Sequence, residues 1–317
     1  MKPGLVLSFT ACLLLVLPAL QAQDVPRVQP AGFRVAAYLP EYRLAEFEPR
    51  LARYLTDLIV FSAEPTEFGG INRSRLAKVP WDELRQWKTK ERVRLILCIG
   101  GWERSKHFAT VATSPEKRQV FVKEAVRLCL EERLDGIDLD WEHPRDEAEQ
   151  EGYGRLLTEL RAGFQPHGLL LSVTIAAWQK MPPEAFTAAH WVQVMAYDHD
   201  DKHSTFEGAV ADVKTLKEAG VPAEKIVLGM PFYGRDILRR NRSLAYREIV
   251  ARHDPKPDVD EIDGVYFNGL SMIRRKTEYA LESRLGGVMA WELGQDVPTD
   301  RSLLRAIDAA VQQARLQ

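Results

Sequence analysis

The sequence predicts an α/β fold: a (β/α)8 TIM barrel forming a single domain, without a large inserted α+β domain. Three observations carry this. Eight short apolar, β-branched runs recur along the chain, segments with helical spacing lie between them, and the alternation extends over about 285 residues, which suits a closed barrel better than an open doubly wound sheet. Neither a GxGxxG turn nor a GKS/GKT loop points to a nucleotide-binding sheet.

The runs are "FRVAAYL", "DLIVFS", "VRLILCIG", "LDGIDLDW", "LLLSVTIAA", "WVQVMAYD", "KIVLGMPF" and "GGVMAWEL". Helical spacing is clearest over 116–133, where Phe121, Val122, Ala125, Val126, Cys129 and Leu130 would share a face, and over 299–314, with Leu303, Leu304, Ile307, Ala310 and Val311. Further helices are expected near 81–88, 147–164, 206–219 and 270–285.

The barrel is expected over 33–317, behind a signal peptide (1–22) and a lead-in with Pro26 and Pro30 (23–32). Met1 and Lys2 form a basic start, Leu5 to Leu17 an apolar run, and Leu20-Gln21-Ala22 a small-residue cleavage site, so the mature protein is expected to be secreted or periplasmic. No later run reaches the ~20 apolar residues of a membrane span. A net charge of −2 spread through the chain argues against a nucleic-acid partner. Cys98 and Cys129 are expected as buried free thiols. "NRS" at Asn72 and Asn241 would accept glycans only in a eukaryotic host.

The segment "LDGIDLDWEHP" places Asp138, Asp140 and Glu142 at alternate positions. On a strand they point one way, about 6–7 Å apart, while Ile137, Leu139 and Trp141 point the other. In a barrel the apolar face belongs under the helices, which leaves the carboxylates facing the axis and the C-terminal mouth, where catalytic groups sit. Clustered buried carboxylates repel one another, and a shared proton relieves them.

Here the chain resembles glycoside hydrolase family 18, the chitinase and chitinase-like family. Its DxxDxDxE signature is matched by Asp135, Asp138, Asp140 and Glu142. "LCIGGW", "VMAYD", "LGMPFYGR" and "GGVMAWELGQD" look like further family strands, in family order, from about Arg34 to Asp296. The resemblance implies retaining hydrolysis of a β-1,4 bond next to an N-acetylglucosamine, with the substrate's acetamido oxygen as nucleophile. It implies no cofactor and no metal; a monomer is expected.

By this resemblance Glu142 is the acid/base, Asp140 stabilises the oxazolinium ion, Asp138 holds the shared proton, and Tyr197 holds the acetamido carbonyl. Asp198 would contact the same sugar and Trp291 would floor the cleaved-end subsite. Tyr38, Trp102, Tyr233, Arg235 and Trp178 complete the expected substrate-binding set. Asp135 is expected to position backbone and Gly136 to leave room for close packing.

Two departures stand out. Cys98 replaces the usual serine that, with Tyr38, supports the deeper aspartate, and a thiol is a weaker donor. Only 55 residues separate Arg235 from Trp291, so a bare barrel with a shallow, open groove is expected. The "HDDKH" run with His199, Asp200 and His203 fits no strong zinc pattern and is expected to be a solvated loop. The rival functions are an endo-N-acetylglucosaminidase or peptidoglycan hydrolase of the same family and, from another class, a non-catalytic chitin-binding lectin.

Overall fold

The computed structural model describes residues 1, 32–239 and 241–316; the expected signal peptide lies outside them except for Met1. Eight parallel strands close into a barrel: β1 (Arg34–Pro40), β2 (Asp57–Pro65), β3 (Arg94–Gly100), β4 (Gly136–Asp140), β5 (Leu170–Ile175), β6 (Trp191–Val194), β7 (Ile226–Pro231) and β8 (Gly287–Trp291). Each pairs with its sequence neighbours, and β1 closes the ring by pairing with both β2 and β8. All eight runs singled out in the sequence are strands.

Side-chain alternation divides the core as expected. One apolar set faces the surrounding helices, including Leu58, Leu97, Ile137, Leu139, Val173 and Val192. A smaller set fills the barrel interior, with Tyr38, Ile59, Phe61, Cys98, Trp191 and Met289 among its members. Asp138 is in register with Cys98 on β3 and Ser172 on β5, so it shares the interior parity. Trp141 turns outward against Phe108 and Tyr153, 5.5 and 5.1 Å between ring centroids.

The helices are α1 (Trp81–Glu91), α2 (Phe108–Thr113), α3 (Pro115–Glu132), α4 (Glu147–Phe164), α5 (Pro183–Ala188), α6 (Phe206–Glu218), α7 (Tyr246–His253), α8 (Leu270–Glu282) and α9 (Leu303–Ala314). The first residues of α3 and α4 are capped by Ser114 and Asp146, whose side chains accept from Lys117 N and Glu149 N. On α3 the buried stripe runs through Phe121, Ala125, Leu128 and Cys129. Leu130, expected on that face, is exposed: it lies about 100° of helical rotation beyond Cys129, past the edge of the stripe.

Among the described residues no large domain is inserted between β7 and β8, and yet the barrel is not bare. Four short strands, Tyr233–Asp236, Ser243–Ala245, Glu261–Ile262 and Val265–Tyr266, form a small antiparallel sheet joined to α7. Strands of two to four residues carry too little alternation to be read from sequence. The sheet gives the groove one wall. Among the described residues no helix is long and apolar enough to cross a membrane, and Cys98 and Cys129 are buried free cysteines.

Candidate active site

The carboxylate column is set by β4 and by the turn that covers its end. Asp135 opens the strand by accepting from Leu95 N at 2.8 Å, and it pairs with Lys88 at 2.9 Å, a positioning role as expected. Gly136 touches β5 so closely that a Cβ would lie 2.1 Å from Leu170 O. At the other end Gly100 and Gly101 take φ of +103° and +101°, a region L side chains avoid. A Cβ on Gly100 would lie 2.2 Å from Asp140 O, so the lack of one lets this turn press directly on β4. Gly101 N donates to Asp140 O at 2.6 Å, and Ser105 Oγ accepts from Glu142 N at 3.1 Å. The β3 turn thereby fixes the backbone on both sides of the strand end.

Asp138 is fully buried and accepts from neutral donors. Tyr38 Oη donates to Oδ2 at 2.7 Å; Ser172 Oγ and Gln193 Nε2 donate to Oδ1 at 2.6 and 3.0 Å; and Thr174 Oγ1 lies 3.1 Å from Oδ2. Burial pushes its carboxyl up, and these hydrogen bonds partly offset that. Asp140 above it has an Oδ1 with no hydrogen-bond partner among the described residues. Burial first, then the charges of Glu142 and Asp138, hold Asp140 well above the usual carboxylate range. Repulsion between them is left standing, which favours the protonated forms.

Glu142 stands at the mouth, half-buried. Burial and then the charge of Asp198 push it up to about 7, against a backbone hydrogen bond from Trp102. A carboxyl there is about half protonated at neutral pH and can both give and take a proton, which is what general acid/base work requires. Asp198 is the opposite case. It sits at φ +64° just beyond β6, a conformation Asp tolerates. Tyr233 Oη donates to it at 2.7 Å and Arg235 clamps both oxygens. Burial alone would raise Asp198, but hydrogen bonds from Arg235 and Tyr233, with His203 3.5 Å away, bring it below the usual range. It therefore stays ionised and helps Glu142 keep its proton.

The column opens into a groove of about 1230 Å³. Of the expected site residues, Tyr38, Trp102, Asp140, Glu142, Trp178, Tyr197, Asp198, Tyr233, Arg235 and Trp291 line it, and Asp138 lies beneath. Tyr197 reaches the groove from the irregular segment after β6, which ends at Val194, rather than from the ladder itself. The Trp291 ring packs edge-on against Phe61 at 4.8 Å and tilted against Tyr38 at 5.2 Å, leaving it half-buried at the floor. Trp102 and Trp178 are 70% and 69% exposed, open aromatic faces on the lips. Tyr38 is wholly buried with its hydroxyl committed to Asp138 and Thr174, so it supports the deeper aspartate.

Cys98 is buried beside Asp138, and burial followed by the charges of Asp138 and Asp140 pushes its thiol up. The strong hydroxyl donors to Asp138 come from β1 and β5 instead. Ser172, Thr174 and Gln193 were legible by parity, because each alternates with outward Leu, Val or Ile on its strand. The "HDDKH" run differs from expectation at one end. His203 is 1% exposed, 5.0 Å from the Tyr233 ring and 3.5 Å from Asp198. Lys276 of α8, itself buried, draws the neighbouring Ser204 inward through bonds of 3.0 and 2.7 Å. His199 bonds Asp212 of α6 at 2.8 Å. Among the described residues no cluster of three or more acidic, histidine or cysteine side chains could hold a metal ion.

The sequence profile of glycosyl hydrolases family 18 matches residues 66–296, well over half the chain. The chain is 26% identical to "Probable chitinase 2" of Drosophila melanogaster over 82% of its own length and 70% of the relative's. It is 26% identical to chitotriosidase-1 of Mus musculus, over 72% of this chain and 66% of that one. Other relatives are much longer: the chain covers 12% of "Probable chitinase 10" of Drosophila melanogaster. The fold superposes on a family 18 chitinase from Flavobacterium johnsoniae with a TM-score of 0.78 and 27% identity, covering 89% and 94% of the two chains. With the family's acidic signature on β4 of a closed barrel, the chain belongs to glycosyl hydrolases family 18 and is a chitinase-like glycoside hydrolase.

Proposed function

We propose that the protein is an exported, retaining glycosidase that cleaves β-1,4 bonds next to N-acetylglucosamine, in chitin or chitooligosaccharides, with the substrate's own acetamido oxygen as nucleophile. One observation carries the proposal. Asp138, Asp140 and Glu142 form a column that rises from the barrel interior into an open groove shared with Tyr197 and Trp291, and burial pushes all three carboxyls up. The basic, apolar start of the chain supports export.

In this reading the sugar at the cleavage point lies on Trp291, with its acetamido group turned down between Tyr197 and Asp140. Glu142 gives its proton to the leaving oxygen while the acetamido carbonyl oxygen attacks the anomeric carbon, and a cyclic oxazolinium forms. Positive charge develops beside Asp140, whose partnerless Oδ1 is free to receive the acetamido N–H. Asp138, where burial favours the neutral carboxyl against its four donors, takes up the proton that Asp140 releases. Glu142, now a carboxylate, draws a proton from water, which opens the ring with net retention.

The purified protein, incubated with chitin oligomers, N-glycans and peptidoglycan, is expected to release products from the chitin oligomers and to leave unacetylated glucan chains intact. Cleavage of N-glycans or peptidoglycan alone would replace the substrate. Binding of chitin without cleavage would make the protein a lectin.

A further inference from the structure

The residue after the catalytic acid is a histidine whose two nitrogens have different partners. His143 Nδ1 lies 2.9 Å from Gln179 Oε1, and its Nε2 lies 3.7 Å from Glu142 Oε2. Gln179 is 5% exposed, and its amide nitrogen donates to Met181 Sδ at 3.6 Å, which turns the carbonyl oxygen toward the imidazole. A carbonyl oxygen only accepts, so the ring hydrogen belongs on Nδ1. In the neutral imidazole, Nε2 then has only a lone pair to offer Glu142. Trp178 packs on the ring at 4.6 Å and restrains its rotation.

We propose that His143, with its tautomer fixed by Gln179, is a positioning residue that keeps the catalytic proton on Glu142. An acceptor-only nitrogen facing Oε2 suits the carboxylic acid, which can donate to it, and opposes the carboxylate. The other tautomer would aim an N–H at Glu142 and favour the carboxylate, the wrong state for attack on an intact glycoside.

The other groups around Glu142 act alongside. Asp198 beyond β6 and Asp140 on β4 favour the protonated acid, the Trp102 N–H after β3 favours the carboxylate, and Tyr197 is a neutral hydroxyl nearby. Among the described residues the Gln179 side chain on the β5 loop hydrogen-bonds His143 and Met181.

The inference rests on Glu142 as the acid, and NMR without substrate separates the two. In 15N-labelled wild-type protein, at a pH where the ring carries one proton, His143 is expected to show a protonated Nδ1 and an unprotonated Nε2. Gln179→Glu places a carboxylate on Nδ1–H, favours the doubly protonated ring, and so directs an N–H at Glu142. The 13C titration of the Glu142 carboxyl should then move down by about half to one pH unit, and the alkaline limb of kcat/KM should follow it. Direct repulsion between two carboxylates would move both up. With His143→Phe, adding Gln179→Glu should produce no downward movement.

An Nε2–H tautomer in the wild type overturns the proposal. So does an upward or absent shift in Gln179→Glu with His143 present. An inactive protein that nonetheless shows the Nδ1–H tautomer and the downward titration would sink the glycosidase reading and leave only the control of the Glu142 proton by His143 standing.

Discussion

Two buried carboxylate sites occupy opposite ends of the same barrel. At the bottom, Asp57 at the start of β2 is fully buried, with Arg94 donating to its two oxygens at 2.5 and 2.7 Å, Arg34 at 3.4 Å, and Thr56 at 2.5 Å. At the mouth, Asp138 and Asp140 are as deeply buried and meet neutral donors or, at Asp140 Oδ1, none among the described residues. The bottom charge is neutralised where it stands. The upper charges are left to repel, which favours protonated carboxyls there. One fold thus pairs the same side chain with guanidiniums at one end and, in the proposed function, uses it for proton chemistry at the other.

Breaking each site should therefore have opposite consequences. Glu142→Gln should lower turnover on chitin oligomers by at least about 10²-fold while sugar binding persists, read by steady-state kinetics and calorimetric titration. Turnover like that of the wild type would sink the acid assignment. Asp57→Asn should lower unfolding free energy by about 2–4 kcal/mol, since it strands two guanidiniums, while activity per folded molecule is unchanged. Urea unfolding with parallel activity measurements checks this.

A smaller effect sharpens the contrast. Glu142 titrates near 7 in the folded protein and near 4.3 in an unfolded chain, so between those values the folded state holds a proton that the unfolded state has lost. Rising pH therefore favours unfolding across that window, and the penalty is complete above pH 7. Glu142→Gln should stabilise the protein by about 1–3 kcal/mol at pH 8 and by nothing at pH 4. An equal gain at both pH values would mean that the stabilisation does not come from the raised carboxyl.

Cys98→Ser should have the smallest effect. A hydroxyl beside Asp138 adds a donor to a carboxylate that already has four, lowering its pKa slightly, so one limb of the pH–rate profile should move by less than about half a unit. A full-unit shift would show that the thiol position dominates the proton balance.

The barrel was legible because its strands carry two signals at once, apolar composition and alternation. The same alternation exposed Asp138, Asp140 and Glu142, and it could have exposed Ser172, Thr174 and Gln193. What remained hidden has no period. His203 is buried by contacts of its loop with Tyr233 and α8, and nothing within "HDDKH" separates it from the solvated residues beside it. Gln179 and His143 are neighbours only because the β4 and β5 loops meet. The small sheet beyond β7 consists of strands too short to show a pattern.

The most direct test concerns the nucleophile. If the uncompensated column at the mouth serves substrate-assisted retention, proton NMR in the first moments of chitin-oligomer cleavage should show product with the β anomeric hydroxyl, before mutarotation. An initial α anomer would mean that water attacks directly with inversion, and it would contradict the proposed roles of Asp140, Asp138 and Tyr197 in forming and stabilising the oxazolinium.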